Sequence, residues 1–321
     1  MATSDSGGKS WLKYGCIGCA GIIGFLLLAA GGLAGVAFLQ VGSEEVIDQD
    51  VIPELPRFPA SGLALPGTPE LQEPGEAPPP ELVPAGARGK VFLELSHAEF
   101  VVVPGEPGDE LRVSAKYDKK VYELEETLET HEDSTWTYHV KFHQTGGGIL
   151  TALKELFGGT QPEVRIVLPP DVLLDLDARM QQGGMTLDLG GLWLRRADFN
   201  FQQGGFELSV SEPLREPMDT LSIDGSMGGF ATSSLGNASP RRLECDFNMG
   251  GMMLDLRGPW AQDAEISITQ SMGGGAIRLP RNVILQGIPG RHSEVPADAE
   301  LKPPTLKFTV SSSMGELEYI D

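Results

Sequence analysis

Positive charge is scarce in this 321-residue chain. Lys and Arg number 24 against 45 Asp and Glu, a formal net charge of −21 at pH 7. Nucleic-acid phosphates and anionic lipid head groups are held by clustered Lys and Arg, so this balance argues against both partners. Cysteine is scarcer still: Cys16 and Cys19 sit at the start of an apolar run, and only Cys245 lies beyond it. One cysteine past the run leaves no intramolecular disulfide framework. The short motifs of chemistry are missing as well: there is no P-loop, nucleophile elbow, HExxH or zinc-spaced CxxC pair. The GGxGxDx nonapeptides of calcium-binding β-rolls are absent too. No catalytic residue, cofactor or metal ligand is therefore expected.

Glycine, in contrast, is abundant and periodic. Apolar strand-like runs meet glycine turns at Gly183, Gly204, Gly228, Gly250, Gly273 and Gly315. The intervals are 21, 24, 22 and 23 residues, then 42. A period of this size marks a stacked repeat, in which no rung buries its apolar face alone. Each Gly-Gly joins strand to strand, so it is not a phosphate loop at a helix start.

Aligned on the first glycine, the position seven residues earlier reads Leu176, Ala197, Leu221, Leu243, Ile266 and Phe308. Five earlier stand Ala178, Phe199, Ile223, Cys245, Ile268 and Val310, and four later Leu187, Leu208, Thr232, Leu254 and Ile277. Apolar and polar positions alternate with the period of a half-buried strand. One residue before the glycine stand Gln182, Gln203, Met227, Met249, Met272 and Met314. The same parity puts this column inside, where methionine is an adaptable filler rather than a metal or redox ligand. Cys245 is expected inside too, as a small hydrophobe.

Residues 15–39 form an uncharged run of 25, long enough at ~1.5 Å per residue for a transmembrane helix, placed at 15–40. Lys9 and Lys13 precede it, and Glu44, Glu45, Asp48 and Asp50 follow. The positive-inside rule puts residues 1–14 in the cytoplasm and the C-terminal domain outside, periplasmic or extracellular, on a single-pass anchor in a bacterial cytoplasmic membrane. The run exceeds the apolar region of a cleaved signal peptide. Ala20, Gly24, Gly31 and Gly35 share one face of that helix, a small-residue pattern that permits close packing and homo-oligomerisation. Residues 41–89 hold ten prolines among Glu, Gly and Ala and read as a disordered linker.

The folded part begins near Lys90. Trp136, Tyr138, Val140 and Phe142 alternate with Thr137, His139, Lys141 and His143. On a strand, His139 and His143 lie about 13 Å apart, too far for one ion. Residues 149–157 read as a short helix that caps or packs, and 284–304 break the repeat as one irregular rung or an inserted loop. A polysaccharide-cleaving β-helix needs outward carboxylates on adjacent rungs. The column five residues after the glycine (Asp188, Ser209, Ser233, Asp255, Arg278) offers none, and Asp175 with Asp177 is the nearest local cluster.

Three stretches, VFLELSHAEFVVVPGEPGDELRVSAKYD, VRIVLPPDVLLDLDARMQQGGMTLDLGGLWL and SMGGGAIRLPRNV, resemble the bacterial toast-rack and putative-adhesin domain family. That family is related to the C-terminal domains of LiaF-like cell-wall-active antibiotic response proteins. The resemblance implies an all-β domain over residues 90–321, a single-stranded right-handed β-solenoid, with no catalytic residues to carry over. The functional expectation is a non-catalytic, membrane-anchored envelope module that meets an envelope protein, a glycan or copies of itself. The lipid bilayer is met only through the N-terminal helix. An accessory regulator of an envelope-stress sensor is the alternative, and a polysaccharide-active enzyme the third. Function is expected at outward positions between the glycine motifs, at the helix of 149–157, or in the excursion at 284–304.

Overall fold

The computed structural model describes residues 46–55, 88–133, 135–145, 161–288 and 302–321. The described residues are all-β. In chain order the strands are β1 (Val46–Val51), β2 (Gly89–Leu95), β3 (Ala98–Pro104), β4 (Arg112–Asp118), β5 (Tyr122–Thr130), β6 (Trp136–Gln144) and β7 (Glu163–Leu168). Then come β8 (Leu174–Asp188), β9 (Leu194–Ser209), β10 (Thr220–Ser233), β11 (Arg242–Asp255), β12 (Ala264–Arg278), β13 (Ile284–Gln286) and β14 (Thr305–Ile320). The six glycine repeats are β8 to β12 and β14. They pair in parallel, each first glycine opposite the next: Gly183, Gly204, Gly228, Gly250, Gly273, Gly315.

Each repeat is a strand bent into two limbs. Along β11, Leu243, Cys245 and Phe247 are buried, then Met252 and Leu254. The step across the bend is five residues, so the alternation slips by one. Pairing is interrupted at the same place without a change of register: Gly225 faces Phe247 and Met227 faces Met249, while Ser226 and Asn248 drop out of the ladder. At the bend Gly250 has φ 134°, a conformation open to glycine and strained for other residues. A Cβ there would also lie 2.0 Å from the carbonyl oxygen of Gly228 in the rung below.

This slip overturns the expectation for the methionine column. Met227, Met249 and Met314 are 43, 42 and 64% exposed. Strict period-two parity holds only along an extended backbone, and the positive-φ corner turns this position outward. Cys245 precedes the corner and is buried as expected; burial pushes its thiol up to about 12, which makes it inert at neutral pH.

Two further rungs lie below β8. The β2–β3 pair is a bent rung with His97 and Ala98 at the corner: Leu95 faces Met180 and Ala98 faces Gly183. Its corner lacks glycine, which hid it in the sequence. The β6 and β7 strands form the rung beyond, pairing in parallel with β2 and β3. Chain order is thus inverted at this end, since β2–β3 lies between β8 and the later β6–β7. Antiparallel β5 and β4 cover β6 and β7, and β1 adds to β4. β1 falls within the span expected to be a linker, and β2 begins at Gly89. The other end inverts in the same way: β13 pairs on the outer side of β14, which lies between it and β12. Residues 284–286 of the excursion are therefore a short outer strand. The apolar run at 15–39, the helix expected at 149–157 and residues 289–301 lie outside the described residues. Among the described residues no helix is long and apolar enough to cross a membrane.

One continuous core runs along the ladder. Phe201 stacks on Phe206 at 4.7 Å between ring centroids, and Phe230 and Phe247 continue the cluster. Gly225 makes room for it, since a Cβ there would lie 2.3 Å from Phe201 Cζ. Toward β14 the same inner column changes to Gln270, whose Oε1 and Nε2 are buried with no partner.

Two measurements follow from this packing. Gly250→Ala combines backbone strain with a steric clash and should cost about 3 kcal/mol or more, read as a lowered midpoint in thermal or denaturant unfolding. Gln270→Met removes two unpaired polar atoms from the interior and should stabilise by about 1–2 kcal/mol in the same assay.

Candidate functional site

The outer side of the corner carries four exposed methionines, Met227, Met249, Met253 and Met314. Three rows run along it, perpendicular to the strands. The first holds Gln182, Gln203, Met227, Met249, Met272 and Met314. The second is the row of second glycines, Gly184, Gly205, Gly229, Gly251 and Gly274, with Glu99 at one end and Glu316 at the other. The third reads Thr186, Glu207, Ala231, Met253, Ala276 and Glu318. The second and third rows form a groove of about 560 Å³ across β9 to β12. Across β10, β11 and β12 no outward residue in these rows is charged. In a chain of net charge −21 that is an unusual stretch of surface.

The two glycine rows differ physically. The first is demanded by the backbone, as at Gly250. The second is not: at Gly205, Gly229, Gly251 and Gly274 an added Cβ would meet nothing within 4 Å. None of the four has a positive φ. Glycine inside a strand costs roughly 0.5–1 kcal/mol against alanine, so this row forgoes about 2–4 kcal/mol. Glu99 and Glu316 show that the row admits a side chain.

The first limbs present a different face. Register brings Asp177 beside Asp198 and Asp224 beside Asp246 on adjacent rungs. Burial, and then the Asp177 charge, raise the Asp198 carboxyl; burial, and then Asp246, raise that of Asp224. The column tested from sequence missed these pairs. Its members are fold-bound: Asp188 accepts hydrogen bonds from the Gly190 and Ser211 amides at 3.0 Å. Burial pushes the Asp188 carboxyl up, but these bonds outweigh it and hold it below the usual range. Asp255 is buried and pairs with Arg257 at 2.6 Å. Asp175 is held by Arg195.

His139 and His143 point to separate neighbours. His139 stacks on Phe92 at 4.7 Å. His143 lies 3.6 Å from Glu125, and with Glu123 these groups fall within 4.8 Å of one another. Lys141 already bonds Glu125 at 3.0 Å and competes for that carboxylate. Beside them a polar cleft of about 600 Å³ opens between Glu94, His97, Arg179 and Asn200.

All six repeat-turn glycines, Gly183, Gly204, Gly228, Gly250, Gly273 and Gly315, sit at the corner as a single stacked row. The helix-packing residues Ala20, Gly24, Gly31 and Gly35 lie outside the described residues. Sequence reasoning missed the groove because it placed the methionines inside. The signal that could have revealed it was the second glycine of each pair, which a tight turn alone does not require.

Raised carboxyls bind protons more tightly folded than unfolded. Their stabilising contribution is therefore full below the unfolded carboxylate value near 4 and lost as pH rises through the raised value. The double substitution Asp198→Asn and Asp224→Asn should melt a few degrees higher than wild type at neutral pH, with the gap closing near about pH 3. Thermal unfolding across this range measures it.

No family model matches the chain, and no curated protein matches it. Three solved structures are similar to it. A putative cell adhesion protein from Clostridium sporogenes has 11% identity and a TM-score of 0.38, covering 86% of this chain and 99% of its own. A putative adhesin from Bacteroides fragilis has 8% identity and a TM-score of 0.36, covering 87% of this chain and 98% of its own. Another from Parabacteroides merdae has 9% identity and a TM-score of 0.33, covering 86% of this chain and 97% of its own.

Proposed function

We propose that this protein is a non-catalytic, adhesin-like interaction module of the bacterial cell envelope. In this reading the ladder winds as a single-stranded right-handed β-solenoid, the hand of nearly all parallel β-crossover connections. One transmembrane helix over 15–40 anchors it, and a proline-rich segment holds it outside the membrane. The lysines before the apolar run and the acidic residues after it support that orientation.

One observation carries the proposal: a groove uncharged across β10 to β12 stands open along the corner, beside methionines 42 to 64% exposed. Large contiguous apolar surface on a soluble face marks an interaction site. Methionine suits such a site because its thioether is polarisable and adapts to its partner. Cys245 is buried, and Asp188 and Asp255 are bonded within the fold.

The full-length protein in detergent, crosslinked to a solubilised envelope fraction, should retain a defined component. The pair Met249→Asp and Met253→Asp should lose that component while melting within a few degrees of wild type. If nothing is retained, or the charged variant retains the same component equally, the proposal fails.

A further inference from the structure

We infer that the corner groove receives an extended peptide segment of a partner, lying across the rungs, with an apolar centre and a basic residue at each end. This rests on the interaction reading above and names the chemistry of its partner.

Three features of the groove converge on that occupant. Its floor is a row of glycines that neither φ nor crowding requires, so the flatness serves something outside the fold. The row beside it runs Glu207, Ala231, Met253, Ala276, Glu318, with no hydrogen-bonding side chain between the two carboxylates. The row thus offers sugar hydroxyls no side-chain partner between its ends and favours apolar side chains there. The carboxylates are four rungs apart, about 19 Å at ~4.8 Å per rung. An extended peptide of seven residues spans about 20 Å between its first and last residues. Basic residues at its two ends would therefore meet Glu207 and Glu318, with Glu316 next to the latter. A second copy fits this face less well, because each copy carries a net charge of −21 and would set glutamates against glutamates.

A labelled peptide Lys-Ser-Phe-Ser-Phe-Ser-Lys places both lysines and both phenylalanines on one side. Full-length protein in detergent should bind it. Exchanging lysine for glutamate, or phenylalanine for serine, should weaken binding at least tenfold. The double variant Gly229→Thr and Gly251→Thr fills the floor at open positions with a good strand former. It should melt at or above the wild-type temperature and bind the peptide at least tenfold more weakly. Glu207→Gln with Glu318→Gln should weaken the lysine peptide but not a serine-ended one.

Equal binding by the floor-filled variant, or none by wild type, overturns the assignment. So does a large fall in its melting temperature, which would make the second glycine row a folding requirement. Concentration-dependent dimers abolished by the same variant would give the face to a second copy, again against a peptide. If the envelope component is retained by wild type and lost from the groove variants without peptide binding, only the peptide assignment falls. If no envelope component is retained at all, the interaction reading falls with it.

Discussion

At the corners of five rungs, from Gly204 to Gly315, a glycine α-carbon rests against the carbonyl oxygen of the glycine one rung below. A Cβ at Gly204, Gly228 or Gly273 would sit 1.9 Å from that oxygen, so no other residue can take the place without moving the ladder. This contact sets the register. With glycine opposite glycine, every column before and after the corner stacks like on like, and the core becomes a set of continuous ladders. The bend is set there too, since positive φ turns the chain without a loop. Parallel strands ordinarily need a long crossover. Here each bent strand carries half of the turn within itself.

The two ends of the ladder are managed by a common device. At both, a later or shorter strand sits outside the rung that the chain order would have made terminal: β6–β7 beyond β2–β3, and β13 beyond β14. The antiparallel β4–β5 rung then reverses direction at one end, which breaks the parallel template that an open edge would offer to other chains. Packing quality follows position along this axis. The middle holds the phenylalanine cluster around Gly225, while the β12 rung carries Gln270 with its amide atoms buried and unpaired.

Surface character divides at the corner. The first limbs carry charges in register, including carboxylate pairs in which burial, and then the neighbouring Asp177 or Asp246, raises the proton affinity of Asp198 or Asp224. The corner rows between β10 and β12 carry none. Like charges stacked every ~4.8 Å along a ladder repel, so an acidic chain must either alternate its charges or leave rows bare. One first-limb column, Asp175, Arg196, Thr220, Arg242, Glu265 and Lys307, alternates them; the corner is bare. That difference confines the uncharged rows to one strip, bounded by Glu207 and Glu318.

The repeat, the strand class and the inner columns at Leu243, Cys245 and Leu254 were legible in the chain alone, because alternation along an extended strand is local and the glycine interval is periodic. The turn glycines were legible for the same reason. Three features were decided only by tertiary structure. The exposure of Met227, Met249 and Met314 depends on the corner's positive φ, which shifts parity by one and has no signature in a pattern of apolar residues. The rung at His97 and Ala98 lacks the glycine that marks its neighbours, so only pairing with β8 identifies it. The meeting of Asp177 with Asp198, and the bracketing of Ala231, Met253 and Ala276 by Glu207 and Glu318, depends on register between residues about twenty or more apart. Sequence records which side chains a rung presents; the stacking of carbonyl on glycine determines which of them become neighbours.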